Sequence, residues 1–279
     1  WSAPAPVVEG ARALVARRRA GEPLQYVLGR WGFRNLDLTV DRRVLIPRPE
    51  TEQVVEVARG ELARLGGARA AGPAPAAEPG LASRAPADEQ GHPRACGRTV
   101  VVDLGTGSGA IALALAAEEP HLEVWATDVS EEALAVARHN LAGLEARPGS
   151  LVHLVHGSWY EALPDRLAGQ VSLVVSNPPY IAEGEVAGLP AEVSAWEPAR
   201  ALVSGSTGLE CVEAVVAGAA SWLARPGAVV VELAPHQAGP AAELARRAGF
   251  TEVEVRPDLA GRPRTLVARQ PGRRGLPER

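Results

Sequence analysis

The chain has 279 residues, 46% of them hydrophobic and 22% charged, with a formal net charge of −4. That suffices for one large packed domain or a core with an appendage, and gives no overall basic field of the kind that draws a protein to nucleic acid. Cys96 and Cys211 lie far apart, outside any Cys/His cluster, and support neither a disulfide framework nor a zinc site; no apolar run reaches membrane-spanning length and no signal peptide is visible, so a cytoplasmic protein is the expectation.

The chain opens at Trp1 and contains no methionine, and residues 1–28 are read as the remnant of a longer segment. Within it, Val7 to Arg19 is helix-like and is stopped by Gly21 and Pro23. Trp31-Gly32-Phe33, Arg34-Asn35 and the alternating Leu36 to Val40 read as a β-hairpin, with Asn35 the residue that tolerates a positive φ. Pro47-Arg48-Pro49-Glu50-Thr51-Glu52 then leads into an amphipathic helix carrying Val54, Val55, Val57 and Leu62. Residues 66–98 are Ala, Gly, Pro and scattered charge, with Leu81 the only large aliphatic residue. Such a stretch buries too little surface to offset its ordering entropy, so a disordered insertion is expected there.

From Thr99 onwards strands alternate with helices. Val100 to Val102, Val124 to Ala126, Leu151 to Val155, Val171 to Val175 and Ala228 to Leu233 are strands; Ala110 to Glu118, a segment capped by Ser130, Cys211 to Leu223 and Ala238 to Ala248 are helices. Val253 to Val255 and Thr265 to Val267 close the set. This predicts an α/β fold with a mostly parallel sheet covered on both faces. The last two strands are joined by too few residues for a crossover helix, so one of them runs antiparallel.

Asp103-Leu104-Gly105-Thr106-Gly107-Ser108-Gly109 joins the first sheet strand to its helix, and its glycines let the backbone turn sharply against a ligand. Gly105, Gly107 and Ala110 also satisfy the dinucleotide pattern, with Asp128 at the end of the next strand for a ribose hydroxyl. Two features favour S-adenosylmethionine over a nicotinamide cofactor. Asp103 places a carboxylate that repels a pyrophosphate and attracts an ammonium, and Asn177-Pro178-Pro179-Tyr180 has no hydride-transfer role. Trp159 is a candidate wall for an adenine, alongside its alternative as ordinary core.

Asn177-Pro178-Pro179-Tyr180 follows a buried strand, and its prolines cannot extend a ladder. The chain must leave the sheet there in a rigid turn, at the strand end where ligands of open α/β sheets bind. An amide, a donor-less backbone and an aromatic ring fixed at that point suit a planar –NH2 group. Asn177 and Pro178 can accept its two N–H bonds while Tyr180 packs on its plane.

Together with Gly21 to Tyr26, Leu45 to Glu52, Ile181, Glu197-Pro198, Ala201-Leu202 and Arg264, these motifs resemble the protein-(glutamine-N5) methyltransferases that modify peptide chain release factors. The resemblance implies a Rossmann-like class I S-adenosylmethionine-dependent methyltransferase with a seven-stranded, mostly parallel sheet and an antiparallel edge region. It divides the chain into 1–28, the remnant of a helical substrate-docking domain; 29–41, a hairpin linker; and 42–279, the methyltransferase domain. It implies methylation of the glutamine in the Gly-Gly-Gln loop of a release factor, in translation termination. Catalysis falls to Asn177, Pro178 and Tyr180, with Pro179 beside them at the substrate. Cofactor contacts fall to Asp103, Gly105, Thr106, Gly107, Ser108, Gly109, Asp128, Trp159 and Asn177. A ribosomal-protein glutamine and, further off, a nucleic-acid amino group are the alternatives, and neither a membrane nor a metal is expected. Glu50 and Glu52 are read equally as pocket-border residues or as helix N-terminal charge, and His153 and His156 as structural.

Overall fold

The computed structural model describes residues 4–70, 98–144 and 150–272. Helices α1 (Ala5–Arg19) and α2 (Leu24–Leu28) precede an antiparallel hairpin of β1 (Arg30–Phe33) and β2 (Leu36–Thr39). The positive φ of its turn falls on Arg34 (φ 51), not on Asn35 as the sequence suggested. Tertiary contacts decide this. Arg34 reaches back to Glu118 at 2.6 Å and to the Glu52 carbonyl at 3.1 Å, while its own N–H donates to Glu52 at 2.9 Å.

Helix α3 (Pro49–Ala70) begins at a proline, whose missing N–H costs nothing at the first helical position. Its buried Val54, Val55, Ala58, Leu62 and Leu65 recur at helical spacing. The helix takes in residues 66–70 of the stretch expected to form the insertion; residues 71–97, Cys96 among them, lie outside the described part of the chain.

The doubly wound part follows as β3 (Thr99–Leu104), α4 (Ala110–Glu118), β4 (Leu122–Asp128), α5 (Glu131–Ala142), β5 (Leu151–His156) and β6 (Val171–Ser176). A short α6 (Ala191–Ser194) leads on to α7 (Glu210–Trp222), β7 (Leu223–Glu232), α8 (Ala238–Arg247), β8 (Glu252–Pro257) and β9 (Pro263–Gln270). The larger sheet has 7 strands in the order β5-β4-β3-β6-β7-β9-β8. β9 runs antiparallel to both its neighbours, and the other pairs are parallel. Side chains alternate across the sheet. In β7, Ala228 and Val230 face the layer of α3 and α4, while Val229 and Val231 face that of α7 and α8.

The order reverses between β3 and β6, because the chain winds outward through β4 and β5 and then returns. A crevice opens at such a switch point beyond the carboxyl ends of the strands. The glycine loop leaves β3 there, Asp128 ends β4 and Asn177 follows β6.

Candidate active site

Asp103 is buried in the last part of β3. Its Oδ2 accepts from the Thr106 hydroxyl at 2.6 Å and from the Ala112 N–H at 3.1 Å, whereas its Oδ1, also buried, has no partner among the described residues. Burial pushes this carboxyl up to about 7, against the two bonds that favour the anion. A buried acceptor without a donor is a costly arrangement unless a ligand completes it. An ammonium group is the donor that fits, so the residues present suit the methionine end of S-adenosylmethionine.

The loop after Asp103 turns through Gly105 (φ 73) and Gly107 (φ 58), both in the left-handed region. A Cβ on Gly105 would stand 3.6 Å from the Trp159 ring, and one on Gly107 would project into open space. The Gly107 N–H donates to Asp128 Oδ2 at 2.8 Å and the Ser130 N–H to Asp128 Oδ1 at 2.8 Å. The loop and the end of β4 thus brace one another. Asp128 keeps further lone pairs for hydroxyl donors. Thr106 and Ser108 are buried within the loop, the first bonded to Asp103, while the Ser108 carbonyl accepts from Asn140 at 2.9 Å.

A cavity of about 230 Å³ lies over this loop. Of the residues assigned to the cofactor, Gly105, Gly107, Asp128, Trp159 and Asn177 line it, together with Pro179 from the substrate set, whereas Asp103, Thr106, Ser108 and Gly109 do not. Trp159 adopts φ 44 and its backbone carbonyl accepts from Thr127 at 3.2 Å; the half-buried side chain lines the cavity and also packs against the core on the α7 and α8 side of the sheet, so both of its readings have a part. A second cavity of about 200 Å³ is lined by Arg48, Asn177, Pro178, Tyr180, Leu189 and Leu202, among others. Asn177 borders both.

The turn carrying Asn177 is clamped from several sides. The Ser176 hydroxyl donates to the Leu104 carbonyl at 2.6 Å, tying β6 to β3. Ile181 exchanges backbone bonds with Leu202 and Ser204. Buried Gln237 donates to the Tyr180 carbonyl at 2.8 Å and to that of Gly208 at 2.9 Å. Asn177 Nδ2 donates to Thr51 Oγ1 at 3.1 Å, and Thr51 in turn to Glu232 at 2.6 Å. The Arg48–Glu197 pair, at 2.5 Å, joins the Pro47 to Glu52 segment to the Glu197-Pro198 segment, with Arg48 lining the second cavity.

Thr51, Glu232 and Gln237 were not picked out from sequence. A signal was present for Glu232: a lone carboxylate closing the apolar run Val229 to Val231. Glu52 proves to bond the hairpin, and Glu50 pairs with Arg262 at 3.3 Å; neither lines the two cavities. His153 stacks on Trp125 with ring centres 4.1 Å apart, and His156 contacts the Val129 carbonyl at 3.1 Å, as structural residues would. Among the described residues no cluster suits a metal ion, and no helix is long and apolar enough to cross a membrane.

A Rossmann-like sheet with this loop and crevice defines a class I S-adenosylmethionine-dependent methyltransferase, and residues 92–205 match the model of the methyltransferase small domain. The fold is shared with the hMettl16 catalytic domain, whose crystal structure with the MAT2A 3′UTR hairpin 1 superposes over 90% of this chain and 79% of that one (TM-score 0.58, 17% identity). The release factor glutamine methyltransferase of Cereibacter sphaeroides is 37% identical over 96% of this chain and 82% of its own length. That of Deinococcus radiodurans is 39% identical over 92% and 78%. The chain belongs to the release factor glutamine methyltransferase family.

Proposed function

We propose that this protein transfers a methyl group from S-adenosylmethionine to the side-chain amide nitrogen (N5) of the glutamine in the Gly-Gly-Gln loop of a peptide chain release factor. The observation that carries the reading is the position of Asn177, a rigidly held amide bordering two adjoining cavities, one over the glycine loop and one walled by Pro178 and Tyr180.

S-adenosylmethionine supplies an electrophilic methyl. Asp103 holds the ammonium of its methionine moiety, the backbone of Gly105 to Gly109 follows it closely, Asp128 takes the ribose hydroxyls and Trp159 walls the adenine. An amide nitrogen is a weak nucleophile because its lone pair is delocalised into the carbonyl, so the residues must supply orientation. Asn177 Oδ1 and the Pro178 carbonyl accept the two N–H bonds of the substrate amide, which aims the nitrogen from the second cavity into the first. Tyr180 packs on the amide plane and excludes water. Positioning of this kind contributes ~7–11 kcal/mol to lowering a barrier. The nitrogen–methyl bond would form as the sulfur–methyl bond breaks, with the neutral thioether as leaving group, and the proton of the alkylated nitrogen would pass to solvent, so no strong base is required. The sequence relatives named above support the release factor as the protein that presents the glutamine.

Mass spectrometry of an unmodified release factor, incubated with the protein and S-adenosylmethionine, tests this. The expected result is one added methyl, located on the glutamine of the Gly-Gly-Gln loop. No methylation of that glutamine, with cofactor binding intact by calorimetry, would overturn the substrate assignment.

A further inference from the structure

Two side chains beside the site take no part in the assignments above. Thr51, in the first turn of α3, is 3% exposed, and Glu232, at the end of β7, is 1% exposed. They form a chain of donors: Asn177 Nδ2 to Thr51 Oγ1 at 3.1 Å, then Thr51 Oγ1 to Glu232 Oε2 at 2.6 Å. Tyr180 Oη donates to the other carboxylate oxygen at 3.4 Å.

The direction of this chain is set at the carboxylate. Burial raises Glu232 to about 7, so this direction belongs to its ionised form, above that value: a carboxylate only accepts, and a hydroxyl has one hydrogen to give. Once Thr51 has given its hydrogen to Glu232, in a bond as short as charge-assisted pairs are, its oxygen can only accept. The end of the Asn177 amide that faces Thr51 must therefore be the nitrogen. We propose that Glu232, acting through Thr51, is a positioning residue that fixes the Asn177 amide with Oδ1 turned towards the acceptor cavity; the inference rests on the glutamine reading above. The consequence is selectivity. Oδ1 accepts from the –NH2 of a glutamine and repels the carboxylate of a glutamate. An amide free to turn would offer Nδ2 instead, opposing a donor with a donor.

Thr51→Val keeps the side-chain shape and removes the hydroxyl; Thr51→Ser keeps the hydroxyl. The probes are the release factor and a peptide of its loop with glutamate in place of the glutamine. The valine variant is expected to lose on the order of 10–100-fold in kcat. Its S-adenosylmethionine affinity should stay within about twofold, and the glutamate peptide should inhibit it more strongly than it inhibits the wild type. The serine variant should recover kcat to within about threefold and the wild-type discrimination. Independently of turnover, the Asn177 Nδ2 hydrogens should exchange slowly with solvent in the wild type and the serine variant, and rapidly in the valine variant. Unchanged kcat in Thr51→Val overturns the proposal. So does a loss of kcat that leaves both the glutamate discrimination and the exchange rates where they were, since that pattern marks a merely structural residue. A wild type that leaves the release factor unmethylated defeats the functional reading instead, and the exchange rates then decide the orientation by themselves.

Discussion

Asp103 combines a buried, unpartnered oxygen with a carboxyl pushed up to about 7 by burial, with the nearby Asp128 charge adding in the same direction. Only the ionised form pairs with an ammonium, so cofactor affinity should rise as pH increases through about 7, with a proton released on binding below that point. Calorimetry across that range, in buffers of differing ionisation enthalpy, reads both effects. Asp103→Asn should bind the cofactor on the order of 100-fold more weakly and with no such pH dependence, because a buried charge pair has lost one partner. Asn177→Ala should behave in the opposite way: turnover falls by on the order of 100-fold or more while cofactor affinity stays within a few-fold. Single-turnover rates and cofactor titration of the same preparation separate the two. Normal turnover in Asn177→Ala would remove the amide from the mechanism.

At the scale of elements, Asn140 in α5 does for the hairpin what Gln237 does for the Asn177 turn. Its Nδ2 donates to the Thr39 carbonyl at 3.1 Å and to the Ser108 carbonyl at 2.9 Å, and its Oδ1 accepts from the Thr39 N–H at 2.8 Å. One side chain thus joins β2 to the glycine loop. Asn140→Ala leaves those backbone groups without their partner, which costs about 1–3 kcal/mol. The expected outcome is a lowered urea midpoint with an unchanged slope, and a weaker cofactor complex because Ser108 belongs to the loop. A midpoint equal to the wild type's would show that water replaces the amide at no cost.

For the whole molecule, Asp103 and Glu232 are buried carboxyls held at about 7, far above their values in an unfolded chain. Burial is the main cause in both. For Glu232 it acts against the Thr51 hydroxyl, Arg264 and Tyr180 and with the Glu50 charge. For Asp103 it acts against Thr106 and the Ala112 N–H. A raised native value means that the folded protein keeps protons the unfolded chain has released, so this contribution is complete in acid and is lost as pH rises through about 7. The paired carboxylates do not offset it there. Glu118 and Glu254, lowered chiefly by their bonds to Arg34 and Arg256, lose their contribution only in acid. His153, lowered by burial, is one half-buried group acting in the other direction. The thermal midpoint of the ligand-free protein should therefore fall between about pH 5.5 and about pH 8, and fall less in Asp103→Asn. Differential scanning fluorimetry over that range checks it; a midpoint that rises would contradict the burial of the two groups.

What the sequence determined by itself follows from local rules. β-Branched runs, glycine punctuation and helix-period patterns placed the strands and helices of the sheet, because buried strands and caps carry their constraints in adjacent residues. Asp103, the glycine loop, Asp128, Trp159 and the Asn177 turn were legible for the same reason: each sits at a strand end marked by its own neighbours. The tertiary structure alone decided the contacts that cross the chain. It gave the positive φ to Arg34 instead of Asn35, because the guanidinium answers carboxylates on α3 and α4. It turned Glu52 to the hairpin and Glu50 to Arg262, and carried α3 through Ala70. It brought Thr51 and Glu232 to Asn177 across 126 and 181 residues of separation along the successive links. No pattern over neighbouring positions encodes such pairings; they exist only once α3, β6 and β7 have packed into one core.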